Sequence, residues 1–195
     1  QLNFPQTISD SSIKGIILVE ICDKVVCDAL SQFNLPIVSV DMPNVPFEEL
    51  NGIDVVTMES KKNLKKIINQ LIEKGAESFG FVGDLYSPNV SRGFQERYNA
   101  LSECLAEHQL PLNQKNCLLH QTPEDFRNFQ TTVNNLQAMI SLPDVFICGN
   151  DWTAIQLIYA LQFLGFQIPK DICVVGFDNI PAASRISPSL TTIST

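Results

Sequence analysis

Residues 148–181 read CGNDWTAIQLIYALQFLGFQIPKDICVVGFDNIP, and their reading decides the fold. DVFICG (Asp144 to Gly149) leads into them as an apolar run of strand length that stops at Gly-Asn-Asp. A helix is predicted to start there. Asn150 or Asp151 can accept from the free N–H groups of a first turn, and a carboxylate suits the positive end of the helix dipole. Ala154, Leu157, Ile158, Leu161 and Leu164 recur at three- and four-residue steps, while Gln156 and Gln162 face the other way. Gly165 supplies a left-handed stop, and Pro169 prevents the helix from resuming. ICVVGF (Ile172 to Phe177) is a second continuous apolar run, closed by Asp178, Asn179 and Pro181. Strand, helix, strand with short joints is a right-handed βαβ unit, and two all-apolar strands imply a sheet covered on both faces. Asn150 and Asp151 follow one strand, Asp178 and Asn179 the other. In open α/β sheets, ligands bind at that carboxyl edge.

The same rhythm runs through the rest of the chain. KGIILVEI (Lys14 to Ile21), PIVSVD (Pro36 to Asp41) and IDVVTM (Ile53 to Met58) read as strands, separated by a helix over Asp23 to Asn34 and a Pro-rich loop. A helix from about Ser60 to Lys74 buries Leu64, Ile67, Ile68 and Leu71 and ends at Gly75. SFGFVG from Ser78 is a strand, a polar turn spans Asp84 to Asn89, and a helix runs from about Ser91 to His108. NCLLH (Asn116 to His120) reads as another strand. Thr122-Pro123-Glu124-Asp125 is a helix start whose apolar side is Phe126, Phe129, Val133, Leu136 and Ile140. The tail SRISPSLTTIST is polar and broken by proline. Alternating strands and helices make the class α/β with mainly parallel sheets, and the expected seam lies near Gly75.

Thirteen basic and twenty-one acidic residues among 195 give a net charge of −8, so this surface repels phosphate backbones on average. No apolar stretch approaches the ~20 residues that cross a bilayer, and the first residues have neither a basic nor an apolar signal region. No membrane contact is expected. The six cysteines show no metal-type spacing, which reads as buried free thiols in a reducing cytoplasm. His108 and His120 are accompanied by no GxSxG, HExxH, Walker or GxGxxG pattern. His120, at a strand end, is the one plausible base, with a surface or cleft histidine as the plainer reading. Neither an enzyme nor a cofactor or metal is expected.

Several segments together resemble the effector-binding domain of LacI/GalR transcriptional regulators, which is similar in fold to periplasmic sugar-binding proteins. They are DVFICGNDWTAI, LQFLGFQIPKDICVVGFDNIP, SPSLTTI, IEKGAESFGFVGD, ERYNAL, SIKGIILVE and NLPIVSVD. The resemblance implies two similar α/β subdomains of the periplasmic-binding-protein-like type I, here residues 1–75 and 76–190, with 191–195 beginning a crossover back to the first. It implies that the first subdomain is incomplete here, and that the helix-turn-helix through which a homodimer reads operator DNA is absent from these residues. A small effector, a sugar and in particular a pentose such as ribose, would be bound between the subdomains. A periplasmic-type sugar-binding protein of a transport system is the alternative.

The resemblance also nominates residues. Arg97 in ERYNAL matches an effector arginine, whose fork of donors suits adjacent hydroxyls or a carboxylate; by spacing alone it is an exposed helical arginine paired with Glu96 or Glu103. Arg92, about a turn away, is the second candidate. Asn150 and Asp178 match ligand-contacting strand ends, with helix capping and turn formation as their structural readings. Asn34 and Asp41 flank the second strand. Trp152 either stacks on a ligand or packs into the core, and Gln121 stands where relatives often carry an aromatic wall.

Overall fold

The computed structural model describes residues 2–10, 12–87, 89–120, 124–125 and 128–195. Among the described residues its α/β framework has the strands β1 Ile16–Val19, β2 Ile37–Val40, β3 Ile53–Val56, β4 Phe79–Val82, β5 Val145–Cys148, β6 Cys173–Asp178 and β7 Thr191–Ser194. The principal helices are α1 Lys24–Ser31, α2 Lys61–Glu73, α3 Arg92–Glu107, α4 Phe129–Ala138 and α5 Asp151–Phe163. Both sheets are parallel throughout, in the orders β1-β2-β3 and β4-β5-β6-β7. By its contacts the chain divides into two compact units, Gln1–Met58 with Pro88–Gln95 and Glu59–Ser87 with Glu96–Thr195. Gly75 lies inside the second unit, just before β4.

In the first unit α1 is started by Asp23, whose side chain accepts from the Val25 N–H. It lays Cys27 and Leu30 against Leu18, Ile37, Met42 and Leu50, which form one small core. Burial alternates along β1 to β3, as it does when one face of a sheet is covered. Ile17, Val19 and Val56 are exposed.

In the second unit β4 and β5 are covered on both faces. Every residue of β4 and β5 is buried. On one face Phe81 meets Tyr98 of α3 edge-on, at 5.5 Å between ring centres. On the other, Val82, Phe146, Cys148 and Val174 pack with Ala154, Leu157, Ile158 and Leu161 of α5 and with Val133 and Leu136 of α4. Asn150 caps α5, accepting the Thr153 N–H at 2.9 Å, and Gly165 (φ +93°) ends it. All six cysteines are free; Cys27, Cys104 and Cys148 are buried and the others half-buried.

Four expectations need correction. Asn116–His120 is not a strand: the Cys117 sulfur takes the Phe81 N–H at 3.3 Å where a neighbouring carbonyl would bond, and pairing survives only as single bridges of Leu118 with Val82 and His120 with Asp84. The polar tail is a strand, because Ile193 is buried and Thr192 is fastened from below, as described next. Ile140 lies beyond the end of α4 and is exposed rather than on its buried side. Trp152 does not pack into the core; it is 60% exposed. The expected helix start at Thr122-Pro123, and Phe126 with it, lie outside the described residues, and the helix that follows is capped by Asn128.

Candidate functional site

In the second unit the carboxyl ends of β4, β5 and β6 bring together four of the nominated residues, Arg97, Asn150, Asp178 and Trp152. Arg97 is drawn down onto this edge from α3. It is 4% exposed, its Nη1 donates to the Gly149 carbonyl at 2.6 Å, and its guanidinium lies 3.7 Å over the Phe177 ring. The reading of Arg97 as an exposed helical arginine, paired with Glu96 or Glu103, fails on exposure, because the side chain is buried. Glu103 instead meets Lys61 and Lys65 of α2. Gly149 and Phe177 are the chain neighbours of Asn150 and Asp178, so a single guanidinium ties the ends of β5 and β6 beside both residues.

Asn150 spends its carboxamide oxygen on the Thr153 amide and hydroxyl, at 2.9 and 2.7 Å. Its helix-capping reading holds. Asp178 (φ +104°) and Asn179 (φ +53°) both adopt left-handed backbone conformations. Asparagine tolerates that region far better than most residues, whereas an aspartate at +104° is strained, and such strain is concentrated at functional sites. Trp152 stands in the first turn of α5 with its ring in solvent. Gln121 lies outside the described residues.

Asp84 and Tyr86 of this edge were not nominated from the sequence, and Asp151 was read there only as a helix-cap candidate and a polar residue at a strand end. Asp151 is wholly buried and accepts the Ile180 N–H at 2.9 Å and the Thr192 hydroxyl at 2.6 Å, so it fastens the end of β6 and the edge strand β7 to the start of α5. A side chain on Gly176 would collide with it, the added carbon falling 2.2 Å from Asp151 Oδ1. Asp84 receives the Tyr86 and Ser87 amides and the Ser87 hydroxyl, closing the turn after β4. Burial pushes its carboxyl up, but these bonds, with His120 nearby, hold it below the ordinary carboxylate value. Above that turn Tyr86 stacks on His120 at 4.3 Å and 20°. The signal for Asp84 was present: Gly-Asp closes β4 as Gly-Asn closes β5.

The first unit has its own carboxyl edge. Asp41 (φ +69°) accepts the Met42 N–H at 2.7 Å and the Ser91 hydroxyl at 2.6 Å. Cys22 lies near it, and burial, followed by the charges of Asp41 and Glu20, pushes its thiol up to about 12. Arg92 donates to the Val45 carbonyl at 2.7 Å and lies 4.7 Å over the Phe47 ring, which anchors the Pro-rich loop. Asn34 precedes β2, at the amino end of that strand, so the structure does not bring it to this edge. Among the described residues no group of three His, Cys, Asp or Glu side chains could hold a metal, and no helix is long and apolar enough to cross a membrane. The edge thus offers amide, carboxylate, guanidinium and aromatic groups, a set that recognises hydroxyls and rings.

The model of the periplasmic binding protein-like domain matches residues 68–195. Catabolite control protein A of Staphylococcus xylosus is 32% identical over 146 residues, 73% of this chain and 41% of that protein. The ribose operon repressor of Haemophilus influenzae is 27% identical over 191 residues, covering 96% and 54%. The HTH-type transcriptional repressor PurR of Actinobacillus pleuropneumoniae serotype 3 is 27% identical over 184 residues, covering 93% and 52%. The chain thus spans about half the length of these curated relatives. Among solved structures, a LacI family regulator from Lactobacillus casei with bound glucose superposes with a TM-score of 0.75 at 21% identity, covering 97% of this chain and 68% of that one. The Lac repressor bound to ONPG gives 0.73 at 20%, covering 94% and 53%. These two likenesses concern the fold alone. With the matched segments of sequence, the chain belongs to the periplasmic binding protein-like domain family, as a domain of the LacI/GalR effector-binding type.

Proposed function

We propose that this chain is the effector-sensing part of a LacI-type transcriptional regulator, taking a small polar ligand at the carboxyl edge of β4 to β6. The observation that carries this is Arg97 held against Gly149 and Phe177, which gathers Asn150 and Asp178 at one place. Asp178 accepts ligand hydroxyl protons, Asn150 borders them, and Trp152 and Tyr86 offer ring faces to stack on. A sugar fits this donor and acceptor set, and the similarity to a ribose operon repressor supports a pentose. Bound ligand shifts the population of conformers and so the grip on operator DNA, a coupling of typically about 1 to 3 kcal/mol. The regulator works as a cytoplasmic homodimer and reaches DNA through a helix-turn-helix outside these 195 residues. It is not an enzyme. The repressors among its relatives support this over a periplasmic transport protein, which would share the fold.

Calorimetry with a panel of pentoses, hexoses, nucleosides and nucleobases on the intact protein tests the reading. A sugar should bind, and Asp178→Ala should weaken it at least about tenfold, as expected for a buried polar contact left unpaired. Asn34→Ala should leave the affinity unchanged. Binding by none of the panel sinks the sensing role, and unchanged affinity in Asp178→Ala removes that residue from the site.

A further inference from the structure

Asp178 closes β6 in a backbone conformation that its own side chain disfavours. Its φ is +104°, and Asn179 after it has φ +53°. A non-glycine residue stays in such a conformation only where its surroundings over-determine it. Here they do so through two side chains. The Asn179 N–H donates to the Thr192 hydroxyl at 3.2 Å, and the Ile180 N–H donates to Asp151 Oδ2 at 2.9 Å. The Thr192 hydroxyl gives its own proton to Asp151 Oδ1 at 2.6 Å, so the two grips form one connected unit. Both oxygens of Asp151 are thereby occupied in a residue that is wholly buried, where an unbonded carboxylate would be costly. Gly176, opposite Thr192 in the pairing of β6 with β7, keeps the space that Asp151 Oδ1 fills.

The exit of β4 shows that a strand can be closed with less. There Asp84 takes amides two and three positions further on, a turn made wholly from neighbours. The exit of β6 is held instead by Thr192, 13 positions from Asn179, and by Asp151, 29 positions from Ile180. Local bonds end a strand; bonds from distant elements fix where the chain goes next. We infer that Thr192, seated on Asp151, is a positioning residue for the ligand site: it holds the turn after β6 so that Asp178 keeps its carboxylate at the edge shared with Arg97 and Asn150. Without the hydroxyl the Asn179 N–H loses its acceptor, and Asp178 can relax toward negative φ, which swings its side chain off that edge. The inference rests on the effector reading of this edge and adds what keeps Asp178 in place.

Three measurements on the intact protein test it, two of them without ligand. In amide hydrogen exchange read at single residues, Thr192→Val, which keeps the branched shape and removes the hydroxyl, should speed the Asn179 amide about tenfold or more, and Thr192→Ser should restore it. Unchanged exchange at Asn179 overturns the inference. In thermal melts Asp178→Gly should unfold several degrees above Asp178→Ala, since both lack the carboxylate and only glycine takes φ +104° freely. Equal melts show that the backbone is not held there and overturn it as well. Calorimetry then uses D-ribose first and, where it does not bind, the other sugars, nucleosides and nucleobases of the panel. Thr192→Val should weaken the ligand that binds by about tenfold, Thr192→Ser by far less, and in an Asp178→Ala background Thr192→Val should weaken it no further. Full affinity in Thr192→Val, or losses that add in the double variant, overturn the positioning role alone. A wild type that binds no member of the panel overturns the effector reading and this inference with it.

Discussion

The two sheets both open on an apolar strand and are covered very differently. β1 and β4 read IILV and FGFV; in β4 every residue is buried, whereas in β1 Ile17 is 72% and Val19 62% exposed. Both units follow a strand with a helix, but α1 supplies one covering layer, while α3 and α5 supply two. An apolar run therefore reports a strand and its tolerance for burial on both faces. Whether both faces are covered depends on the helices that arrive from elsewhere in the chain.

The largest effect that tests this contrast is Phe81→Ala, which should cost about 3–5 kcal/mol in urea unfolding because it empties the space between β4 and α3. Val56→Thr, on the open face of the first sheet, should stay within about 0.5 kcal/mol. Similar costs for the two would end the comparison. Next come two glycines. Gly176→Ala forces a carbon to 2.2 Å from Asp151 and 2.8 Å from Leu190 and should cost about 1–3 kcal/mol or more, whereas Gly15→Ala meets the Pro36 carbonyl at 3.1 Å and should cost less. The smallest effect is in acid. Asp84 has its folded value held below its unfolded one, so its contribution is present above the ordinary carboxylate range and fades as pH falls below about 4. The stability gap between wild type and Asp84→Asn should therefore narrow from neutral pH to pH 3; a gap independent of pH would show that the Asp84 charge adds nothing.

Elements whose signal is local were legible in the sequence. β5, α5 and β6 follow from two apolar runs, the Asn150 cap and the Gly165 stop, and Asn150 and Asp178 stand at the strand ends to which the reading assigned them. What failed depends on partners distant in the chain. Thr191–Ser194 is polar by composition, and its place as an edge strand depends on the burial of Ile193 and on the buried carboxylate of Asp151, 41 positions away from Thr192. Leu118 and Leu119 have strand composition, but the Cys117 sulfur takes the bond a ladder needs. Trp152 illustrates the opposite error: an aromatic beside apolar helical residues reads as core, and the face it occupies became visible only with Tyr159 and Phe163 beside it.

Because Asp151 locks the start of α5 to the end of β6 and to the beginning of β7, that helix is held at one end like a lever on a fulcrum. Its thirteen residues span about 20 Å, so each degree of tilt at the fulcrum moves the far end by about 0.3 Å. With the proposed effector contact at its first turn, α5 would carry a small adjustment around the ligand to its far end.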